Sequence, residues 1–300
     1  MSPRKTSVFL PGLAVFLGAS LLTLEPARAV DLDSQDLLPG PVGTNILLGY
    51  FTYAQRNEFT STNGRTYKDG TGLKSFVSII RYARYMDLFG LTVAPQVLLP
   101  YGRLFSGSLA GTRLDSAGGS ADIIFAAPVW FLNQPRTTLS LVPYLYAPTG
   151  SYVPGRTLNV GENRWKFDLQ LGATQQLGHG FATQLSADVM WYGTNHDASG
   201  IGLGQLKQKN SYQFQGWLTY TPPSNRRWTF SAGYSKNWGG VQRVDGVENG
   251  QATRSDQIRV EVSDFITPTF QVQGLLAHDI KVNGGFKQDL SATLRLLKVF

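Results

Sequence analysis

Trp165-Lys166-Phe167-Asp168-Leu169-Gln170-Leu171-Gly172-Ala173-Thr174-Gln175-Gln176 is the stretch on which the fold turns. Trp165, Phe167, Leu169, Leu171 and Ala173 share one parity, and Lys166, Asp168, Gln170 and Thr174 share the other. Successive side chains of a strand point to opposite faces, so an apolar face and a polar face run back to back along it. After Leu177-Gly178-His179-Gly180 the pattern returns, with Phe181, Leu185, Ala187, Val189 and Trp191 apolar and Gln184, Ser186 and Asp188 polar. The two segments predict a hairpin. A third strand carries Tyr212, Phe214, Leu218 and Tyr220 against Ser211, Gln213 and Gln215, and a fourth follows Pro222-Pro223-Ser224-Asn225 with Trp228, Phe230, Ala232, Tyr234 and Trp238. Aromatic rings stand at both ends of the apolar faces at 181–191, 212–220 and 228–238. A water-soluble sandwich gives no reason for that placement, whereas a bilayer holds Trp and Tyr at its two headgroup levels.

Outward from these four strands, eight more are expected near 44–56, 75–86, 90–101, 121–132, 137–147, 255–265, 269–280 and 286–300. The whole reads as all-β, a transmembrane antiparallel up-and-down β-barrel of 12 strands over 43–300. An even strand count puts both termini on the periplasmic side. The breaks then sort by length: 57–74, 102–120, 148–164, 193–210 and 239–254 are long and polar, and 86–90, 132–136, 177–180, 221–227 and 264–268 are short. Long external loops against short periplasmic turns is the asymmetry of bacterial barrels.

Arg4 and Lys5, the apolar run from Val8 to Leu22 and the small residues ending at Ala27-Arg28-Ala29 read as a secretory signal peptide, residues 1–29, removed ahead of Val30. Residues 30–42 are then a short N-terminal periplasmic segment, too short for a full plug but able to obstruct part of the periplasmic mouth. Without Arg4, Lys5, Arg28 and Glu25 the mature chain keeps 24 basic and 19 acidic residues, a net of +5. The positives are scattered, which argues against a nucleic-acid surface. There is no cysteine, so neither a disulfide framework nor a thiolate metal site is available. Beyond the leader no apolar run approaches the roughly 18 residues of a spanning helix, so passage through a membrane must be by strands.

The chain ends Leu290-Ser291-Ala292-Thr293-Leu294-Arg295-Leu296-Leu297-Lys298-Val299-Phe300, alternating to a terminal aromatic. This resembles the C-terminal signal read by the barrel-assembly machinery, with Lys298 departing from the usual apolar residue and able to snorkel to water. Partners expected from the location are outer-membrane lipid, lipopolysaccharide and a small-molecule solute.

Twelve strands enclose a lumen between that of a filled eight-stranded barrel and an open sixteen-stranded porin, which limits the channel to small solutes. The inward set comprises Lys166, Asp168, Gln170, Gln184, Asp188, Gln213, Gln215, Arg259, Glu261, Gln271, Gln273, Asp289 and Arg295, a mixture of signs and amides that implies no strong ion selectivity. In the loop from Pro148-Thr149-Gly150-Ser151-Tyr152 to Gly161-Glu162-Asn163-Arg164-Trp165, residues Tyr152, Asn163 and Arg164 are candidates for a constriction, against a plain solvated loop. Pro95, Pro128 and Pro143 fall in three neighbouring strands and each removes a ladder donor. They are candidates for a bulged wall that opens sideways to the bilayer, against three tolerated bulges.

Residues 37–300 resemble the outer-membrane family named for the meta-pathway of phenol degradation. The matching stretches are Leu37-Leu38-Pro39-Gly40-Pro41 with Gly43-Thr44-Asn45, Pro148-Thr149-Gly150-Ser151-Tyr152, Gly161-Glu162-Asn163-Arg164-Trp165, Trp191-Tyr192-Gly193 and Val244-Asp245-Gly246. The resemblance implies a transporter for small, hydrophobic or aromatic compounds and assigns no functional residues. The rival readings are an outer-membrane lipid or peptide hydrolase and a structural barrel with a closed lumen. Hydrolysis needs a base beside a nucleophile or carboxylate. Of His179, His196 and His278, only His196 with Asp197 forms a loop pair worth a test. No catalytic, cofactor or metal site is therefore assigned, and Gly200-Ile201-Gly202-Leu203-Gly204 reads as a flexible loop because no helix pattern follows it.

Overall fold

The computed structural model describes residues 22–23, 31–198, 204–250 and 252–300. The expected leader, apart from 22–23, lies outside them, as does most of the glycine run at 200–204. Twelve strands make the wall: β1 (Asn45–Thr60), β2 (Gly72–Arg84, continued by Met86–Leu88), β3 (Leu91–Val93 and Gln96–Leu109), β4 (Ile123–Ala126 and Val129–Asn133), β5 (Thr137–Ala147), β6 (Lys166–Gly178), β7 (Phe181–Tyr192), β8 (Ser211–Tyr220), β9 (Trp228–Trp238), β10 (Arg254–Thr267), β11 (Phe270–Asn283) and β12 (Gly285–Val299). Each pairs antiparallel with its predecessor, and β12 returns to β1 from Ile46↔Val299 to Thr60↔Gly285, so the sheet closes on itself. Closure leaves no edge, which a bilayer requires because hydrocarbon offers nothing to an unpaired N–H or C=O.

The alternation behaves as anticipated. On β6 Lys166, Asp168, Gln170 and Thr174 are buried inward, while Phe167 and Leu171 stand exposed on the outside. The outer face continues with Phe51, Ile80, Leu99, Phe125, Leu145, Leu185, Phe214, Leu218 and Val260. At its external margin Trp191 stacks on Phe167 with centroids 5.6 Å apart, and at the periplasmic margin Phe181 lies 4.7 Å from Tyr220.

Several strands outrun the expected bounds. β1 and β3 continue to Thr60 and Leu109 because their ladders, Phe59↔Phe286 and Gly72↔Ser108, persist above the apolar band. Gly284 alone joins β11 to β12. Asp289 was expected inward. It sits where the register slips between Gln55↔Leu290 and Arg56↔Gln288, and its carboxylate accepts from the Asn57 amide at the exposed external end.

The inner surface has two unlike halves. β6–β10 present Gln, Asp, Ser, Thr and Arg, whereas β2–β5 present an apolar cluster of Leu98, Ile124, Ala126, Val142, Tyr144 and Tyr146 with Met190 from β7. A second apolar cluster at the periplasmic end gathers Ile46, Leu48, Ala83, Tyr85, Ala94 and Trp130.

Candidate functional site

Residues 31–38, part of the segment expected to be able to obstruct the periplasmic mouth, lie against the inner wall. They rise from β1 into the barrel, and inward side chains of β2, β4, β5 and β7–β12 close on them. Leu37 N–H donates to Gln184 Oε1 at 3.2 Å, and its carbonyl accepts from Trp130 Nε1 at 2.8 Å. Leu32 N–H donates to Gln215 Oε1 at 3.0 Å, and its carbonyl accepts from Trp217 Nε1 and Arg259. Ser34 donates through both its amide and its hydroxyl to Glu261. The reason the segment goes in is that a short polar run with three carboxylates meets cations fixed in the wall. Asp31 pairs with Arg259 at 2.8 Å, Asp33 with Arg295 at 2.9 Å, and Asp36 with Arg295 and Arg81, each at 3.3 Å. Burial pushes the Asp33 carboxyl above its ordinary range, and Arg295 pulls it back only in part. Leu37, 2% exposed, fits because Gly172 faces it, where a Cβ would come within 2.6 Å of the leucine methyl carbons.

Seven of the thirteen lumenal residues singled out from sequence thus hold one segment: Gln184, Gln213, Gln215, Arg259, Glu261, Gln273 and Arg295. Asp168, Gln170 and Asp188 form another group, with Gln170 accepting from Tyr144 and donating to Asp188. Lys166 pairs with Glu162 at the external end.

The external mouth is crossed by the 148–164 loop. Arg164 is fully buried, bonded to Glu162 and Gln208, with its guanidinium 4.6 Å from the Tyr192 ring centre. Asn163 reaches Asn195, and the Tyr152 hydroxyl donates to the Asp197 carbonyl. The three candidate constriction residues therefore tie this loop to the 193–210 loop. Burial works to raise the Glu162 carboxyl, but Lys166 and Arg164 outweigh it and hold it at about 2.

A cavity of about 330 Å³ lies between the segment and the apolar half of the wall, with Ile79, Leu98, Ile124 and Tyr146 on one side and Asp31, Asp33 and Arg259 on the other. A second of about 350 Å³ lies at the periplasmic mouth, bounded by Gln35, Leu38, Gln176, Gln184, Thr219 and Arg226. Residues of the segment border both.

Of the three wall prolines, Pro95 and Pro128 coincide with interruptions of β3 and β4, while β5 runs through Pro143. The ladder is carried across by proline carbonyls: Ala94 N–H to Pro128 O at 2.9 Å and Ala127 N–H to Pro143 O at 3.2 Å. His196 and Asp197 are loop neighbours, and His278 meets the Asp289 carbonyl.

Residues 56–295 match the family described as MetA-pathway of phenol degradation. An outer membrane channel from Pseudomonas putida F1 is 32% identical over 90% of this chain and 100% of its own, with a TM-score of 0.84. The chain belongs to this family. It is a channel or transporter protein of the bacterial outer membrane. The β-domain of the Bordetella autotransporter BrkA shares the fold at 11% identity over 86% of this chain and 100% of its own, with a TM-score of 0.52. No curated protein matches.

Two features of the bore escape the sequence analysis: the N-terminal segment held inside it and its apolar lining. The carboxylates at 31, 33 and 36 gave a signal only once their cationic partners were placed. The apolar lining was hidden in Ile79-Ile80, Val97-Leu98-Leu99 and Ile123-Ile124-Phe125, where neighbouring positions are apolar alike.

Proposed function

We propose that the barrel passes small hydrophobic or aromatic compounds across the outer membrane without catalysis. The observation that carries this is the cavity of about 330 Å³ with an apolar wall of Ile79, Leu98, Ile124 and Tyr146 facing the lumen. An apolar cavity of about 150 Å³ is enough to take benzene, so a compound of one or two rings fits. The polar residues Lys166, Asp168, Gln170, Gln184, Asp188, Gln213, Gln215, Arg259, Glu261 and Arg295 then serve the lumen indirectly, six of them by holding the N-terminal segment in place. Tyr152, Asn163 and Arg164 close the external mouth from above as a lid.

With residues 31–38 across the axis, the wall offers the solute another way out. Pro95, Pro128 and Pro143 lie beside Ala94, Ala126 and Val142 of the inner apolar clusters, so lumen-side and lipid-side apolar surfaces meet where the ladder is thinnest. Lateral exit of an apolar solute there avoids water at every step. Uptake of labelled phenol and benzene into proteoliposomes tests both parts. Rates well above protein-free vesicles are expected, with a fall in the Pro128→Val and Pro143→Val variants. No stimulation by the native barrel defeats the transport reading, and unchanged rates in both variants defeat the lateral route.

Export by a leader cleaved after Ala29 and assembly through the last strand complete the proposal. Phe300 is 66% exposed, and its amide and carbonyl both pair with Asn45 at the closing seam. Lys298 reaches Thr269 Oγ1 at 2.8 Å, which brings its charge to the periplasmic rim.

A further inference from the structure

Above the external aromatic level a three-stranded ribbon stands on β8 and β9, made of Leu206–Gln208, Gln242–Val244 and Val247–Glu248. Leu206 packs with Ala198 and Val244, and Gln208 accepts from both Arg164 and Gln242, so this face looks to the mouth of the barrel. The alternation then turns Lys207, Lys209 and Arg243 to the opposite face, where all three are exposed. Lys207 and Arg243 are direct cross-strand partners. Like charges so placed repel, and the arrangement gains stability only from an anion lying between them.

The protein supplies little of that anion. Glu248 pairs with Arg243 at 2.8 Å from the far side, with both side chains about half exposed. The Asp245 carboxylate accepts from the Gln205 amide. Among the described residues neither Lys207 nor Lys209 has an ion-pair partner. The three bases border a concavity of about 480 Å³ with Val241 and Asp245. Its shape depends on Gly240, where a Cβ would fall 1.8 Å from the Lys209 carbonyl oxygen, so no other residue lets the two segments meet there.

Height selects the ligand. Tyr212 and Trp238 pair across β8 and β9 and stand exposed on the lipid side. At a rise of roughly 3.4 Å per residue, Lys209 lies about 10 Å and Lys207 about 17 Å further along the chain from Tyr212. With the exposed Tyr212 and Trp238 at the base of the ribbon, an anion held at this height matches the headgroup of a lipid in the outer leaflet. We propose that Lys207, Lys209 and Arg243 form a docking site for the phosphate groups of a phosphorylated outer-leaflet glycolipid, whose acyl chains lie along the β8–β9 wall.

The test is native mass spectrometry of the mature barrel in detergent, titrated separately with bisphosphorylated lipid A, dephosphorylated lipid A, phosphatidylglycerol and inorganic phosphate. The native protein is expected to retain the bisphosphorylated lipid most tightly. The triple variant K207Q/K209Q/R243Q should bind it at least tenfold more weakly, while R65Q/K68Q/R113Q, which removes the same charge from other exposed loop positions, should not. Gly240→Val, which keeps every base but parts the ribbon, should also weaken binding. Heat-dependent gel mobility establishes that each barrel is closed. Equal retention by the native and first triple variants, an equal loss in the two triples, or binding of inorganic phosphate as tight as that of the lipid would overturn the proposal.

Discussion

Arg295 bridges Asp33 and Asp36 with only 5% of its side chain exposed, so its removal strands a buried carboxylate. Breaking one side of a buried pair costs about 3–5 kcal/mol. Arg295→Ala is therefore expected to free residues 31–38, seen as faster hydrogen exchange there and a higher single-channel conductance. Gly172→Val should do the same without touching a charge, because the added carbons occupy the place of Leu37. Glu162 gives a pH dependence of definite sign. Its folded-state pKa, about 2, lies below the ordinary 4.5, so its contribution to holding the 148–164 loop is complete above pH 4.5 and is lost as pH falls from 4.5 to 2. Current fluctuations should grow through that window, and Glu162→Gln should show them already at neutral pH, with no further change on acidification.

Strands, not single groups, divide the lumen into a gripping half and an apolar half. Leu98→Gln and Ile124→Gln place an amide on the apolar wall of β3 and β4 and are expected to lower proteoliposome uptake of benzene several-fold. Ion conductance, predicted to follow the N-terminal segment, should stay as it was. The same division governs what could be read from sequence. In β6–β10 one face meets lipid and the other meets polar groups, so polarity alternates and both the strands and their inward residues were legible. In β2–β5 the inward face is apolar over Ile79, Leu98, Ile124 and Val142 as well, so alternation fails there, and these residues looked no different from their lipid-facing neighbours. The sequence placed Gln215, Arg259 and Arg295 inside but not against a peptide, since their partners Leu32, Asp31 and Asp33 lie far away along the chain. Tyr152, Asn163 and Arg164 were recognisable as a group, whereas their attachment to Asn195, Asp197 and Gln208 was not.

At the level of the whole barrel, closure runs through the β1–β12 seam, where Asn45 and Phe300 exchange backbone hydrogen bonds. Removing Phe300 deletes both bonds and the exposed ring, and is expected to reduce the heat-modifiable, membrane-inserted fraction while leaving export itself unchanged. The position of Asp31 gives the sealed wall an internal brace. It is held by Gln213 of β8 and Arg259 of β10 within the lumen, while Asp33 is held by Gln273 of β11 and Arg295 of β12, so residues 31–33 tie together strands that are not neighbours in the sheet. The segment thus stiffens the bore as a spoke stiffens a rim, and the Arg295→Ala barrel is expected to be softer in cross-section as well as more open.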